Sequence, residues 1–303
     1  MHAALPAGLW PVMITPFNAD GSLDDGALQH LVDWYIAHGA AGLFAVCLSS
    51  ECHFLTAPER VQLASRVVHH AQGRVPVVAG ALRDGDGPLS EAVRAMAGTG
   101  VAASVILTNE LVPREESDNA CHAAVAELIA TSGECALGFY ECPAPWKRLL
   151  SLDTVKLCAA SGQVRYLKET SCDRAVLASK VAAAANSPLF VANACMALGL
   201  ASLQAGAPGL SAVAANVAPQ LLSWLCAHYD TQPERATAVH AACTVIEELI
   251  KRAYPASAKT LATHYGARMG VTCRKPGCEL GDQHQVITPL VTEHIDAALA
   301  LIA

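Results

Sequence analysis

The sequence predicts a (β/α)8 TIM barrel with a small C-terminal helical bundle. Eight short apolar segments alternate with amphipathic segments between residues 9 and 212, and this alternation is typical of parallel strands connected through helices. A doubly wound sheet is the competing arrangement, but its Gly-rich phosphate-binding fingerprint does not follow the first strand. We therefore expect the barrel over residues 1–225 and a helical extension over residues 226–303.

The strand candidates are short apolar runs bounded by Gly, Pro or polar residues. In chain order they are residues 9–14, 42–46, 75–79, 103–107, 135–139, 164–167, 189–192 and 209–212. Amphipathic runs that predict helices lie between them at 25–38, 57–72, 89–97, 115–132, 151–160, 172–185 and 196–205. The second helix has the clearest start, because Thr56 supplies a cap and Pro58 and Glu59 suit the first turn.

The segment from about residue 216 onward is mostly helical. We predict helices over 219–229, 233–254, 257–269 and 288–302, of which the last three exceed what a barrel needs. The stretch from Val181 to Tyr229 contains no Asp, Glu, Lys or Arg. Pro and Asn residues interrupt it every few positions, which does not suit the roughly 20 apolar residues of a membrane span. We expect two inner strands and a helix, covered by the C-terminal helices or by another subunit.

Composition excludes several classes of function. The 303 residues are 53% hydrophobic and 16% charged, with a net charge of −7 and no Lys/Arg-rich run. A nucleic-acid binder would carry a basic footprint, so nucleic acid is not an expected partner. The twelve cysteines form no CxxC pair and are expected to be reduced thiols of a cytoplasmic protein. The N-terminus lacks the pattern of a signal peptide.

Lys168 and Tyr140 form the predicted catalytic pair. Each follows a short apolar strand, and those strands are consecutive in the chain. In a barrel the two strands would be neighbours roughly 5 Å apart, and both side chains would stand at the C-terminal mouth, where barrel active sites lie. An amine that can form a Schiff base beside a phenol that can move protons suits carbonyl chemistry.

Nearly the whole chain, including the segments around Lys168 and Tyr140, resembles the dihydrodipicolinate synthase / N-acetylneuraminate lyase superfamily. Each motif alone is weak, but their order and spacing together are specific. The matching segments are Thr15-Pro16-Phe17 with Asp20-Gly21, Leu48-Ser49-Ser50-Glu51, Val77-Val78-Ala79-Gly80, Tyr140-Glu141-Cys142-Pro143, Leu167-Lys168-Glu169, Ala207-Pro208-Gly209-Leu210-Ser211 and Asn216-Val217-Ala218-Pro219.

The resemblance implies a Schiff-base lyase that acts on a 2-oxo acid, usually as a homotetramer built as a dimer of dimers. It implies that Lys168 attacks the ketone, that Tyr140 moves protons, and that no metal or organic cofactor is required. By the same resemblance, Ser49 and the backbone of its loop, with Leu48 and Ser50, would hold the substrate carboxylate. Residues near Ser211 would line the opposite side of the site.

The departures from the family pattern bear on specificity. Leu48 stands where the family commonly has a relay hydroxyl, no tyrosine follows the fourth strand, and Pro145 stands where the synthase branch has an arginine. Glu110 and Glu141 are predicted near the mouth, where they could bind substrate hydroxyls. Glu51 is expected to cap or salt-bridge the loop, and strand alternation predicts a structural role for Glu169.

Several alternatives remain open at the level of sequence. Cleavage as a pyruvate-type aldolase and dehydration of a 2-keto-3-deoxy sugar acid pass through the same lysine imine. A non-catalytic barrel that only binds a small oxo acid is the rival from another class. A true dihydrodipicolinate synthase is disfavoured by the three departures at Leu48, at Pro145 and after the fourth strand.

Overall fold

The fold is a closed parallel barrel of eight strands, seen in a computed structural model that describes residues 4–303. The strands are β1 Gly8–Leu9, β2 Leu43–Ala45, β3 Val77–Ala81, β4 Ala103–Leu107, β5 Leu137–Tyr140, β6 Val164–Glu169, β7 Phe190–Asn193 and β8 Gly209–Leu210. All paired strands are parallel, and the sheet runs in the order β1-β8-β7-β6-β5-β4-β3-β2. Single bridges between Leu9 and Ala40 and between Val12 and Phe44 join its two ends. The predicted TIM barrel is confirmed.

Some strands differ from their predicted bounds because of how they meet neighbouring strands. The first strand is much shorter than predicted, because Pro11 lacks the N–H that a ladder needs. The third strand begins two residues later than predicted and extends through Gly80. A Cβ at Gly80 would lie 2.0 Å from the Val46 carbonyl oxygen, so only glycine lets β2 and β3 approach so closely there.

Helices alternate with the strands as predicted. They are α1 Asp25–Ala37, α2 Ala57–Ala71, α3 Leu89–Ala97, α4 Asp118–Thr131, α5 Leu152–Ser161, α6 Arg174–Ala184, α7 Gly199–Gln204 and α8 Pro219–His228, followed by α9 Pro233–Ile250, α10 Ala256–His264 and α11 Asp282–Leu299. The predicted start of α2 is confirmed, since Thr56 and Glu59 form a reciprocal capping box. The last helix begins six residues before its predicted start and contains Pro289 within it.

The uncharged stretch forms β7, α7, β8 and α8 in the barrel wall. Helix α9 packs against α7 and α8, so one C-terminal helix of the same chain covers part of this stretch, and cover by another subunit stays a prediction. Within residues 4–303 no helix is both long enough and apolar enough to cross a membrane. The boundary at residue 225 stays a prediction, because α8 spans it and packs on both β1 and α9.

The C-terminal extension is attached to the barrel mouth by buried charges. Glu51, in the loop after β2, lies 2.9 Å from the Lys259 Nζ and accepts hydrogen bonds from the backbone N–H groups of Arg274 and Lys275. The Arg274 guanidinium in turn binds both carboxylate oxygens of Glu59 on α2. The loop after β2 is therefore fixed between the barrel and the extension. Glu51 forms a salt bridge, one of its two predicted roles, but its partner Lys259 lies on α10 of the extension.

Candidate active site

Lys168 and Tyr140 face each other at the carboxyl ends of adjacent strands. They are direct register partners between β5 and β6. The Lys168 Nζ lies 4.4 Å from the centroid of the Tyr140 ring and 5.9 Å from that of Phe44. The side chains are nearly buried, at 4% and 3% exposure. The structure therefore brings the predicted pair together.

The surroundings of the Lys168 amine differ from those of the other buried lysines. Lys180 contacts Glu141 and Glu169, and Lys259 contacts Glu51. In residues 4–303 the Lys168 amine has no ion pair or hydrogen bond, and its neighbours are aromatic faces. Burial therefore lowers the Lys168 pKa from its ordinary value, although Cys47, Cys142 and Glu247 act in the opposite direction. A lowered pKa enlarges the neutral fraction that can act as a nucleophile.

Tyr140 is buried beside an aromatic ring and close to the Cys142 and Cys47 thiols. Its ring packs edge-on against Phe44 at 5.6 Å between centroids. Burial raises the pKa of Tyr140 well above its ordinary value, and interactions with Cys142 and Cys47 raise it further. The phenol therefore stays protonated near neutral pH and is available as a proton donor.

An aromatic and hydroxyl floor lies below the lysine in the barrel. Tyr166 precedes Lys168 by two residues, so its side chain leaves the strand on the same side. Its ring stacks on Phe190 and contacts Trp10. The Tyr166 hydroxyl donates to the Ser211 Oγ, which donates to the Trp10 carbonyl. Ser211 is thus part of this floor, and its contact with substrate stays a prediction.

The loop after β2 presents three of the predicted binding residues. The Ser49 Oγ is buried and accepts a hydrogen bond of 2.7 Å from the Tyr254 hydroxyl. Ser50 uses its hydroxyl within the loop, donating to the Met13 carbonyl and accepting from the Cys47 N–H. Leu48 is half-buried and carries no polar group. Of the three side chains, Ser49 is the one placed to offer a hydroxyl to a ligand.

The acidic residues predicted near the mouth are engaged elsewhere. The prediction that Glu141 is available to substrate hydroxyls is wrong, because its carboxylate lies fully buried 2.5 Å from the Lys180 Nζ. It also accepts from the Leu150 and Thr170 N–H groups. Side chains of successive strand residues point to opposite faces, so Glu141 faces away from the barrel interior that Tyr140 faces. Glu169 joins the same cluster, in keeping with its predicted structural role.

Glu110 is half-buried in the turn after β4, and burial raises its pKa. Its carboxylate accepts from the Arg83 N–H at 2.8 Å, and its carbonyl accepts from the Arg83 guanidinium. These contacts join the loops after β3 and β4. A role for Glu110 in substrate binding stays a prediction.

The segment that lacks the family's tyrosine supports the loop after β5. The Thr108 hydroxyl donates to the Arg148 carbonyl, and the Asn109 amide donates to the carbonyls of Ala144 and Trp146. The Arg148 guanidinium is committed to carbonyls of Pro113, Arg114 and Glu116. Arg148 therefore does not replace the arginine that is absent at Pro145.

Two residues of the C-terminal extension reach the mouth and were missed from sequence. Tyr254 contacts Ser49, as described above. Glu247 on α9 is 5% exposed and accepts from the Met196 and Ala214 N–H groups, in the loops after β7 and β8. It is close enough to Lys168 to influence its pKa. Nothing in a helical pattern marks a residue 79 positions from Lys168 as its neighbour, so only the packing of α9 reveals it.

A metal site does not emerge from the described part of the chain. No group of three or more His, Cys, Asp or Glu side chains in residues 4–303 is arranged to hold a metal ion.

Comparison with known proteins assigns the chain to a family. The profile of the dihydrodipicolinate synthetase family matches residues 5–292. The chain therefore belongs to this family, whose members are aldolase-like lyases, and a lyase is the class of enzyme that follows.

Relatives of known sequence are consistent with this assignment. A 4-hydroxy-tetrahydrodipicolinate synthase of Ralstonia nicotianae is 31% identical over 227 residues, which cover 73% of this chain and 74% of that protein. The synthase of that name from Alkalilimnicola ehrlichii is 28% identical over 283 residues, covering 91% and 94% of the two chains.

Solved structures share the fold. YagE, a prophage protein of E. coli K12 solved in complex with pyruvate, superposes with a TM-score of 0.86 at 23% identity, covering 96% of this chain and 99% of its own. A dihydrodipicolinate synthase of Acinetobacter baumannii, also complexed with pyruvate, gives 0.85 at 22% identity with the same coverage.

Proposed function

We propose that the protein is a Schiff-base-forming lyase that acts on a 2-oxo acid through Lys168. The observation that carries the proposal is the buried Lys168 amine, which faces aromatic rings and has no carboxylate partner in residues 4–303. The neutral amine adds to the keto carbon to form a carbinolamine. Loss of water then gives an iminium ion, which accepts the electron pair when the adjacent bond breaks.

Tyr140 is the proposed proton carrier in this scheme. Its strand end is paired with that of Lys168, and its phenol remains protonated because burial raises its pKa. The phenol can donate the proton that the departing hydroxyl of the carbinolamine needs. It can then transfer a proton to or from the atom at which the substrate bond is broken or made.

Ser49 is the proposed anchor for the substrate carboxylate. It lies in the loop after β2, the strand that contributes Phe44 beside Lys168. Support for a 2-oxo acid also comes from the two structural relatives that hold pyruvate. Aldolase cleavage, which releases pyruvate, and dehydration of a 2-keto-3-deoxy sugar acid are both compatible with this arrangement.

Trapping of the iminium tests the proposal directly. Pyruvate and cyanoborohydride should convert the Lys168 imine to a stable secondary amine, which intact mass measures and peptide mapping locates. Lys168→Ala and Lys168→Arg should give no adduct and no turnover, because neither side chain offers a neutral amine near pH 7. Lys156→Ala removes an exposed lysine and should trap normally.

The outcomes separate the proposal from its rival. Turnover that survives in Lys168→Arg would end the Schiff-base assignment. Absence of any adduct in the unmodified protein, across a panel of 2-oxo acids, would favour a non-catalytic barrel.

A further inference from the structure

A chain of four polar side chains connects α1 to the loop after β2. The Tyr35 hydroxyl donates to the Asn216 Oδ1. The Asn216 Nδ2 donates to the Tyr254 hydroxyl at 2.8 Å, and the Tyr254 hydroxyl lies 2.7 Å from the Ser49 Oγ. Tyr35, Asn216 and Ser49 are buried and Tyr254 is half-buried. The chain therefore ends at the residue proposed to bind the substrate.

The direction of these hydrogen bonds is set by one carbonyl group. The Asn216 Nδ2 lies 2.9 Å from the Val12 carbonyl oxygen, which can only accept. The amide nitrogen must therefore face Val12, and its second proton is directed to the Tyr254 hydroxyl. The Tyr254 oxygen accepts that proton, so its own single proton goes to the Ser49 Oγ.

These hydrogen bonds determine how the Ser49 hydroxyl can interact with a ligand. Its oxygen already accepts from Tyr254, and no group in residues 4–303 accepts from it. The hydroxyl is thus left as a donor with its oxygen held in place. A carboxylate only accepts hydrogen bonds, and bonds that involve a charged partner are the stronger ones.

We propose that Tyr254, supplied by the C-terminal extension, is a positioning residue that holds the Ser49 hydroxyl as a donor for the substrate carboxylate. This role rests on the proposed 2-oxo acid chemistry. Burial raises the pKa of the Tyr254 phenol, so the phenol stays protonated and can donate its hydrogen bond to the Ser49 Oγ. The segment is secured on both sides, because Lys275 donates to the Tyr254 carbonyl and Lys259 pairs with Glu51.

Two probes that differ only in the carboxylate test this role. Pyruvate and its methyl ester carry the same ketone, but the ester lacks the anion. The half-saturating concentration of each is measured by cyanoborohydride trapping, with the adduct quantified by intact mass. In Tyr254→Phe we expect the value for pyruvate to rise about tenfold, the scale of one lost hydrogen bond to a charged group. The value for the ester and the maximal extent of trapping should stay unchanged.

Two further variants complete the design. Tyr265→Phe removes another half-buried phenol of the extension, bonded to Thr292 and Asp296, and should leave both probes unaffected. Ser49→Ala should reproduce the pyruvate-selective shift. Adding Tyr254→Phe to Ser49→Ala should then have little further effect, because Tyr254 acts through that hydroxyl.

The contradicting outcomes are distinct. Equal shifts for pyruvate and ester in Tyr254→Phe would mean a merely structural role, and an unchanged value for pyruvate would mean that Tyr254 does not act on the carboxylate. If Tyr254→Phe fails to fold, Ser49→Ala decides: a shift that does not discriminate the probes overturns the inference. Absence of trapping in the unmodified protein would overturn the proposed function itself, and the role of Tyr254 with it.

Discussion

Lys168 shows how the same side chain acquires different properties from its immediate neighbours. Lys180 and Lys259 are as deeply buried, but Lys180 pairs with two carboxylates and Lys259 with one, and they serve the structure. The Lys168 amine contacts the faces of Tyr140 and Phe44 instead. Ring faces compensate a buried ammonium less well than a carboxylate does, so the neutral form gains at this position.

At this scale the first prediction concerns the phenol. Tyr140→Phe keeps the ring against Phe44 and Lys168 but removes the hydroxyl that is the proposed proton carrier. We expect turnover to fall about 10²–10⁴-fold, the usual range for a positioned acid or base, while some imine still forms. Steady-state kinetics and trapping on the same sample measure both quantities. A near-normal rate would assign proton transfer to another group, such as a water held by Ser49.

The second residue-scale prediction concerns pH. Neutral Lys168 is the proposed nucleophile, so the rate of trapping at low pyruvate should rise as pH rises through its lowered pKa, below the ordinary lysine range. The Glu247 carboxylate opposes that lowering. Glu247→Gln removes its negative charge, so the rising limb should move to lower pH. The measurement is the rate of trapping as a function of pH in both proteins.

Glu248→Gln is the matched control for Glu247, because it makes the same change of charge one residue away on an exposed side chain. We expect its pH profile to coincide with that of the unmodified protein. If the trapping rate of the unmodified protein rises only around the ordinary lysine pKa, the lowering of the Lys168 pKa by burial is contradicted. If the pH profile of Glu247→Gln does not move, the Glu247 charge does not affect the Lys168 pKa.

At the scale of elements, strand alternation divides the ends of β5 and β6 between two tasks. Tyr140 and Lys168 face the mouth, whereas Glu141 and Glu169 face outward and meet Lys180 on α6. One buried cation thus ties both strand ends to the helix that covers them. The proposed catalytic pair is thus positioned by charges on the opposite side of the same two strands.

This arrangement predicts a large effect of Lys180 on stability. Lys180→Met leaves two buried carboxylates facing each other without a counter-charge, and should lower the free energy of unfolding by about 3–5 kcal/mol. The loss of stability should shrink as pH falls, because a protonated carboxyl needs no counter-charge. In the variant the folded state binds that proton more readily than the unfolded state does, so lower pH favours the folded state. Denaturant unfolding at several pH values measures it.

Lys156→Met provides the comparison for Lys180. It breaks an exposed pair with Asp153 on α5 and should change the free energy of unfolding by less than about 1 kcal/mol. Equal effects of the two substitutions would show that the buried cluster contributes no more than a surface ion pair.

At the scale of the whole molecule, the C-terminal extension completes a site that the barrel begins. The barrel supplies Lys168, Tyr140 and Ser49, and the extension adds Tyr254 and Glu247. Buried contacts of Glu51 with Lys259, Arg274 and Lys275 hold the two parts together. The homotetrameric state stays a prediction, which sedimentation of the purified protein would decide.

The last prediction concerns substrate choice by the assembled mouth. We expect no useful condensation of pyruvate with aspartate semialdehyde, with kcat/KM far below the ordinary enzyme range of about 10⁴ M⁻¹s⁻¹ or higher. Leu48 offers no hydroxyl, the turn after β4 has no tyrosine, and Arg148 is committed to backbone carbonyls. A coupled assay with purified protein measures the rate. If that rate is normal, Lys147, bound to the Thr170 carbonyl, is the cation to mutate next.

The sequence by itself determined the alternation of eight strands with helices, most helix positions and the pairing of Lys168 with Tyr140. These follow from local patterns, since parallel strands that are consecutive in a barrel bring their ends together whatever the details of packing. Strand ends were less predictable, because Pro11 and the close approach at Gly80 act through neighbours on other strands.

Only the tertiary structure decided which charged and polar groups meet across long separations. Glu141 was expected at the mouth but pairs with Lys180, because that lysine on α6 compensates its burial. Tyr254 and Glu247 lie 86 and 79 residues from Lys168 in the chain, yet α9 and its following turn carry them to the mouth. Their contacts depend on how the extension packs on the barrel, and hydrophobic periodicity carries no information about that choice.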